Sequence, residues 1–65
     1  MLQLHEQRVV NEALELNERI CSLQNFIDHN KVFLDLDAED QMLLEEQLSY
    51  MKGYLDVLHE RIARF

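Results

Sequence analysis

The chain has 65 residues, 48% of them hydrophobic, and a formal net charge of −7 at neutral pH. That size allows one small domain, and that charge argues against binding DNA, RNA polymers or anionic membranes, which need a broad basic footprint. The single Cys21 excludes an intrachain disulfide, and no spacing among Cys21, His5, His29 and His59 matches a structural zinc site, so neither metal nor cofactor is expected.

The start, Met1-Leu2-Gln3-Leu4-His5-Glu6, lacks the basic opening and apolar core of a signal peptide. No apolar run approaches the length of a bilayer span, and a free thiol suits a reducing compartment, so a cytoplasmic location is expected. The first element is a helix over about residues 4–29. Its apolar row, Val9, Ala13, Leu16, Ile20, Leu23 and Ile27, alternates by four and three, the stripe of a helical seam. Asn30 is expected to end it as a left-handed residue, because asparagine tolerates positive φ. The connection Lys31-Val32-Phe33-Leu34-Asp35-Leu36 should fold its apolar residues back over the hairpin end. Asp37 then suits the N-cap of a second helix over about residues 38–64, with Glu39 and Asp40 at its positive dipole end. That helix carries a second row: Leu44, Leu48, Met51, Leu55, Leu58, Ile62 and Phe65.

Two such rows joined by a short connection predict an all-α fold, an antiparallel two-helix hairpin forming a single domain over residues 1–65. A constant offset pairs Val9 with Ile62, Ala13 with Leu58, Leu16 with Leu55, Ile20 with Met51, Leu23 with Leu48 and Ile27 with Leu44. This register sets Arg8 beside the end of helix two and Arg19 near Lys52 and Gly53. A lone hairpin buries too little apolar surface to offset the entropy of ordering it. Self-association into a helical homo-oligomer is therefore expected.

Helix two has a further face, Leu43, Gln47, Tyr50, Tyr54, Val57, Arg61 and Arg64, and helix one carries Val10, Leu14, Cys21 and Phe26 off its seam. Leu43, Tyr50, Tyr54, Val57, Val10 and Leu14 are the candidate oligomer-interface residues. Tyrosines serve such a face either as packing area with a polar tip or as ligand platforms. Gly53 lies inside helix two, where glycine is unfavourable; it marks either close approach of another group or plain tolerance.

Positive charge gathers at the open end, where the register brings Arg8, Arg61 and Arg64 together with His5 and His59, while acidic residues crowd the loop end. Arg8 and Arg19, eleven residues apart, lie on one stripe about 16 Å from each other. Either these arginines pair with Glu12, Glu15 and Glu60, or they form a phosphate pocket, since the planar guanidinium suits phosphate bidentately. Asn11, one turn from Arg8, has the amide to read a base edge or a ribose hydroxyl. Catalysis is not expected. The carboxylates sit on exposed helical faces, Ser22 and Ser49 lack a base-and-acid constellation, and there is no glycine-rich phosphate loop.

The segments Arg8-Val9-Val10-Asn11-Glu12, Glu15-Leu16-Asn17-Glu18-Arg19-Ile20 and Leu23-Gln24-Asn25-Phe26-Ile27 follow one another without gaps. With Phe33-Leu34-Asp35-Leu36-Asp37, Leu43-Leu44-Glu45-Glu46-Gln47-Leu48, Met51-Lys52-Gly53-Tyr54 and Leu58-His59-Glu60-Arg61-Ile62, the chain resembles the hairpin domain of the phage anti-CBASS sponge family, shared with an anti-Thoeris sponge. The resemblance covers nearly the whole chain. It implies a non-enzymatic protein that sequesters cyclic di- or trinucleotide messengers of bacterial anti-phage signalling, as a homo-oligomer, typically a hexamer, in the cytoplasm of the infected host. It places Arg19 at a phosphate of a dinucleotide site, and Arg61 and Asn11 at a trinucleotide site. Where the family has an aromatic platform near the start of the first helix, this chain has Leu4 and His5, which leaves the His5 ring or a tyrosine from another protomer as the substitute. The competing readings are a structural or adaptor coiled-coil protein docking a protein partner, and an inhibitor acting by acidic mimicry.

Overall fold

A computed structural model describes residues 1–65. The stripe of one long helix closes onto the stripe of another: α1 spans Leu4–His29 and α3 spans Ala38–Ile62, with a short α2, Lys31–Asp35, between them. The shared core is Val9, Ala13, Leu16 and Ile20 from α1 against Leu48, Leu55 and Leu58 from α3. Leu23, Ile27, Met51 and Ile62 pack against it while partly exposed. These are seam residues, so the four-three spacing is what selects the buried side of each helix. No helix is long and apolar enough to cross a membrane.

The result is a rod of 48 × 15 × 13 Å with a radius of gyration of 14.8 Å. A compact chain of this length would have a radius near 11 Å. Two helices side by side leave most of each cylinder facing outward, and only 8 of the 65 residues are buried. The fold therefore has one apolar seam and no second layer over it.

The connection differs from expectation in two ways and the chain end in a third. Asn30 is extended (φ −92°, ψ 127°) and no residue has positive φ, so the left-handed stop is absent. Asn30 instead begins α2, its Oδ1 accepting from the Val32 amide at 2.8 Å. A side-chain cap satisfies the next helix without needing an unusual backbone. Second, only part of the connection folds inward. Phe33 is buried and meets Phe26 edge to face at 6.1 Å, and Leu36 is half-buried. Val32 and Leu34 remain exposed, because a helical turn sends residues three apart to one side and their neighbours to the other. Third, Phe65 lies outside the seam. The regular helix stops at Ile62, Arg64 and Phe65 donate to carbonyls three residues back, and Phe65 is exposed. In the pairing of Val9 with Ile62, the position opposite Phe65 is Glu6, which offers no apolar surface.

The closed end is held by polar contacts as well. Asp37 caps α3, its Oδ1 accepting from the Asp40 amide at 2.8 Å. Gln41 reaches back from the first turn of α3, its Nε2 donating to the carbonyls of Phe33 at 2.9 Å and Leu36 at 3.1 Å. That amide ties α2 to α3.

Candidate functional site

A two-helix rod has two flanks, one on each side of the seam, and their chemistry differs. On one flank Leu43, Glu46, Gln47, Tyr50, Met51 and Tyr54 of α3 line an open groove of about 500 Å³. Beside it, Glu18, Arg19, Ser22 and Leu23 of α1 face the same Gln47 and Met51 across a second groove of about 540 Å³. Sharing Gln47 and Met51 makes the two grooves one trough, with tyrosine rings at one side and a guanidinium at the other. The opposite flank, at the open end, has a smaller groove of about 270 Å³ formed by Val10, Ala13, Leu14, Asn17, His59 and Ile62.

This division separates the six candidate interface residues. Leu43, Tyr50 and Tyr54 line the trough, whereas Val10 and Leu14 line the groove on the opposite flank. Val57 is exposed on the outer side of α3, 52% accessible, one helical turn from Tyr54. Phe26 belongs to neither groove; its contact with Phe33 puts it to use within the chain.

Lys52 is not beside Arg19. Arg19 faces Gln47 and Met51, while the Lys52 ammonium donates to Gln24 Oε1 at 2.9 Å on the other flank. The level along the rod follows from the register, but the flank follows from the 100° turn per residue, and these two side chains leave their helices on opposite sides. Gly53 also has open space around it: a Cβ there would meet nothing within 4 Å.

Polar pairing within the chain bypasses the arginines. Gln7 donates to Asn11 Oδ1 at 3.1 Å, Gln24 to both Asp28 oxygens at 3.0 Å, and Tyr50 to Glu46 at 3.0 Å. The Glu46 hydrogen bond, followed by its negative charge, raises the Tyr50 phenol above the ordinary tyrosine value. No side-chain hydrogen bond is donated by Arg8, Arg19, Arg61 or Arg64. All four are exposed, as are His5 and Asn11. Guanidiniums held open in this way keep their five donors for an external anion or for carboxylates of another molecule. The sequence reading of Arg19 did not include Ser22 and Gln47 as neighbours. The four-residue spacing of Glu46 and Tyr50 was available in the sequence, whereas the cross-helix position of Gln47 was not.

The trough gives this small helical protein an open surface with an arginine and two tyrosines, groups suited to holding a ligand. The chain is a member of the Sequestin family, whose model matches residues 3–64. The family name denotes sequestration, a role for a binding protein rather than a catalyst. The chain is also 38% identical over 61 residues, covering 94% of each sequence, to an uncharacterized 7.5 kDa protein of the denB-rIIB intergenic region of Enterobacteria phage T4. No solved structure matches it.

Proposed function

We propose that this protein is a phage-encoded sponge that sequesters cyclic di- or trinucleotide second messengers in the cytoplasm of the infected bacterium, without catalysis. The observation that carries the reading is the trough that Arg19, whose guanidinium donates no hydrogen bond within the chain, shares with Tyr50 and Tyr54 across Gln47 and Met51. A cyclic oligonucleotide needs both elements: a fixed cation for phosphate and a flat ring for a base. Ser22 and Gln47 add a hydroxyl and an amide to the same surface. Arg8 and Arg61, with Asn11 and His5, form the second candidate site near the open end, the one suited to the larger trinucleotide ring.

The working unit is a homo-oligomer, a hexamer by family resemblance. A single chain exposes both the trough and the Val10–Leu14 flank, and an open groove on a thin rod encloses little of a ligand. Adjacent copies would supply the missing walls.

Native mass spectrometry against a panel of cyclic di- and trinucleotides tests stoichiometry and binding together. Bound messenger on an oligomer is expected. Arg19→Ala should weaken dinucleotide affinity, and Arg61→Ala trinucleotide affinity, by about tenfold or more, since each charge-assisted phosphate contact is worth roughly 1.5–3 kcal/mol. The acidic loop end should not contribute, so neutralising Asp35 and Asp40 together should leave affinity unchanged at fixed salt. A wild type that binds no cyclic nucleotide removes the proposal and leaves the trough as the docking groove of an adaptor protein.

A further inference from the structure

Glycine is a poor residue for a helix interior, and Gly53 sits mid-way along α3 with nothing near enough to require it. Its surroundings on the helix surface supply a reason. The outer row Leu43, Glu46, Tyr50, Gly53, Val57, Arg61 and Arg64 advances by threes and fours, so these side chains share one face. Leu43, Tyr50 and Val57 on that face are 54%, 69% and 52% exposed, far above the buried seam residues. The row carries a carboxylate, Glu46, near its start, where it accepts from Tyr50, and ends with guanidiniums, Arg61 and Arg64, neither of which donates a hydrogen bond within the chain.

Glu46 and Arg61 lie fifteen residues apart on one helix, about 22 Å along its axis, so they cannot meet in the same protomer. They meet if a second α3 runs antiparallel to the first. With the two-fold axis between Gly53 and Tyr54, Glu46 falls opposite the partner's Arg61 and Tyr50 opposite the partner's Val57. Gly53 then falls opposite the partner's Tyr54. Each tyrosine faces a smaller residue and Glu46 faces the partner's Arg61, the self-complementarity that an isologous contact requires, while Arg64 falls opposite the partner's Leu43 at the rim. A glycine at the crossing is what lets the partner's tyrosine ring approach the backbone.

We infer that two copies of this chain pair through antiparallel α3 helices about Gly53, with Glu46 bound to the partner's Arg61. Glu46 also lines the trough beside Gln47, so the pairing carries the partner's Arg61 to the trough's edge. One edge of that guanidinium engages Glu46 and its remaining donors stay available to an anion. The inference rests on the oligomeric sponge proposed above and specifies which surface closes it.

The test is a charge exchange read by sedimentation equilibrium of the full-length protein. Glu46→Arg and Arg61→Glu should each weaken self-association at least tenfold with helicity retained. The double variant should restore it to within about threefold of wild type, because a tenfold change in association corresponds to roughly 1.4 kcal/mol regained from the re-formed pair. Gly53→Leu should also dissociate the pair while keeping the helix. Should a charge variant fail to fold, a second measurement stands: Gly53→Cys in a Cys21→Ser background should give a disulfide-linked dimer under mild oxidation. Unchanged association in both single variants, a double variant no better than either, or no linked dimer overturns the pairing. If the wild type remains an oligomer in those cases, only this interface fails and the sponge reading stands. A monomeric wild type overturns both this interface and the oligomeric reading, while messenger binding, measured separately, reports on the ligand proposal alone.

Discussion

The two ends of this hairpin solve the same problem differently. At the closed end, backbone groups freed by helix ends find partners nearby: Asn30 caps α2, Asp37 caps α3, and Gln41 spans two carbonyls of the connection. Phe26 and Phe33 close the apolar side. At the open end, α3 finishes in two tight turns, Phe65 and Leu4 are exposed, and Arg8, Arg61 and Arg64 make no side-chain hydrogen bond. A polar group that is satisfied internally contributes to folding and has little left for a ligand. One left open contributes little to folding and retains its capacity to bind. Asn30, Asp37 and Gln41 have the first task here, and arginines are left for the second.

The largest way to break the comparison is through the seam both ends share. Leu58 is 1% exposed, and Leu58→Ala should cost about 2–5 kcal/mol in urea denaturation. Because the open end has little besides the seam and the Gln3–Glu6 capping box, hydrogen exchange in that variant should rise first in residues 4–13 and 55–62. Amides near Asn30 and Asp37 should keep more of their protection. Uniform acceleration would show that the closed end has no stability of its own.

Next come the closed-end bonds themselves. Gln41→Met keeps the side-chain length and removes the amide, and should cost about 1–3 kcal/mol if the Phe33 and Leu36 carbonyls are left unpaired. Asp37→Ala should cost about 1 kcal/mol, the usual loss of an N-cap. Thermal denaturation at fixed protein concentration measures both. A loss below about 0.5 kcal/mol for both would place them among ordinary surface changes and erase the contrast between the ends.

The open end sharpens the comparison by its silence. Arg8→Ala should change stability by less than about 0.5 kcal/mol, because this exposed side chain donates no hydrogen bond within the chain. A larger destabilisation in dilute, dissociated protein would mean that this arginine has a structural carboxylate partner.

The smallest effect concerns pH. The Tyr50 phenol is protonated in its bond to Glu46, so its titration is raised above the ordinary tyrosine value. Any stability from that bond is present below that ordinary value and is lost as pH rises through the raised one. In Tyr54→Phe protein, which retains Tyr50 as its only tyrosine, absorbance near 295 nm should report this late ionisation. Glu46→Gln should move the transition to lower pH. No movement would mean that the carboxylate does not hold the phenol in solution.

Much of the scaffold could be read from the order of residues alone. The two four-three rows determined the all-helical hairpin and its buried stripe, because burying a helix face is a periodic problem and periodicity is visible in one dimension. Asp37 as a cap was legible for the same reason, its partner being three residues away. Residues reached across space were not. Gln41 contacts carbonyls five and eight residues earlier, and nothing local marks it. Asn30 satisfied the next helix instead of ending the last, a choice made by the geometry of α2.

The candidate site divides along the same line. Sequence spacing put Arg8 and Arg19 on one stripe and identified the tyrosine face of helix two. Only the packed hairpin decided that Arg19 faces Gln47 and Met51, that Lys52 turns to Gln24, and that Val10 and Leu14 lie on the flank opposite Tyr50. Register specifies how far along the rod two residues meet. The angle at which each side chain leaves its helix, relative to the axis of the other helix, specifies whether they meet at all, and that angle exists only once the two helices have packed.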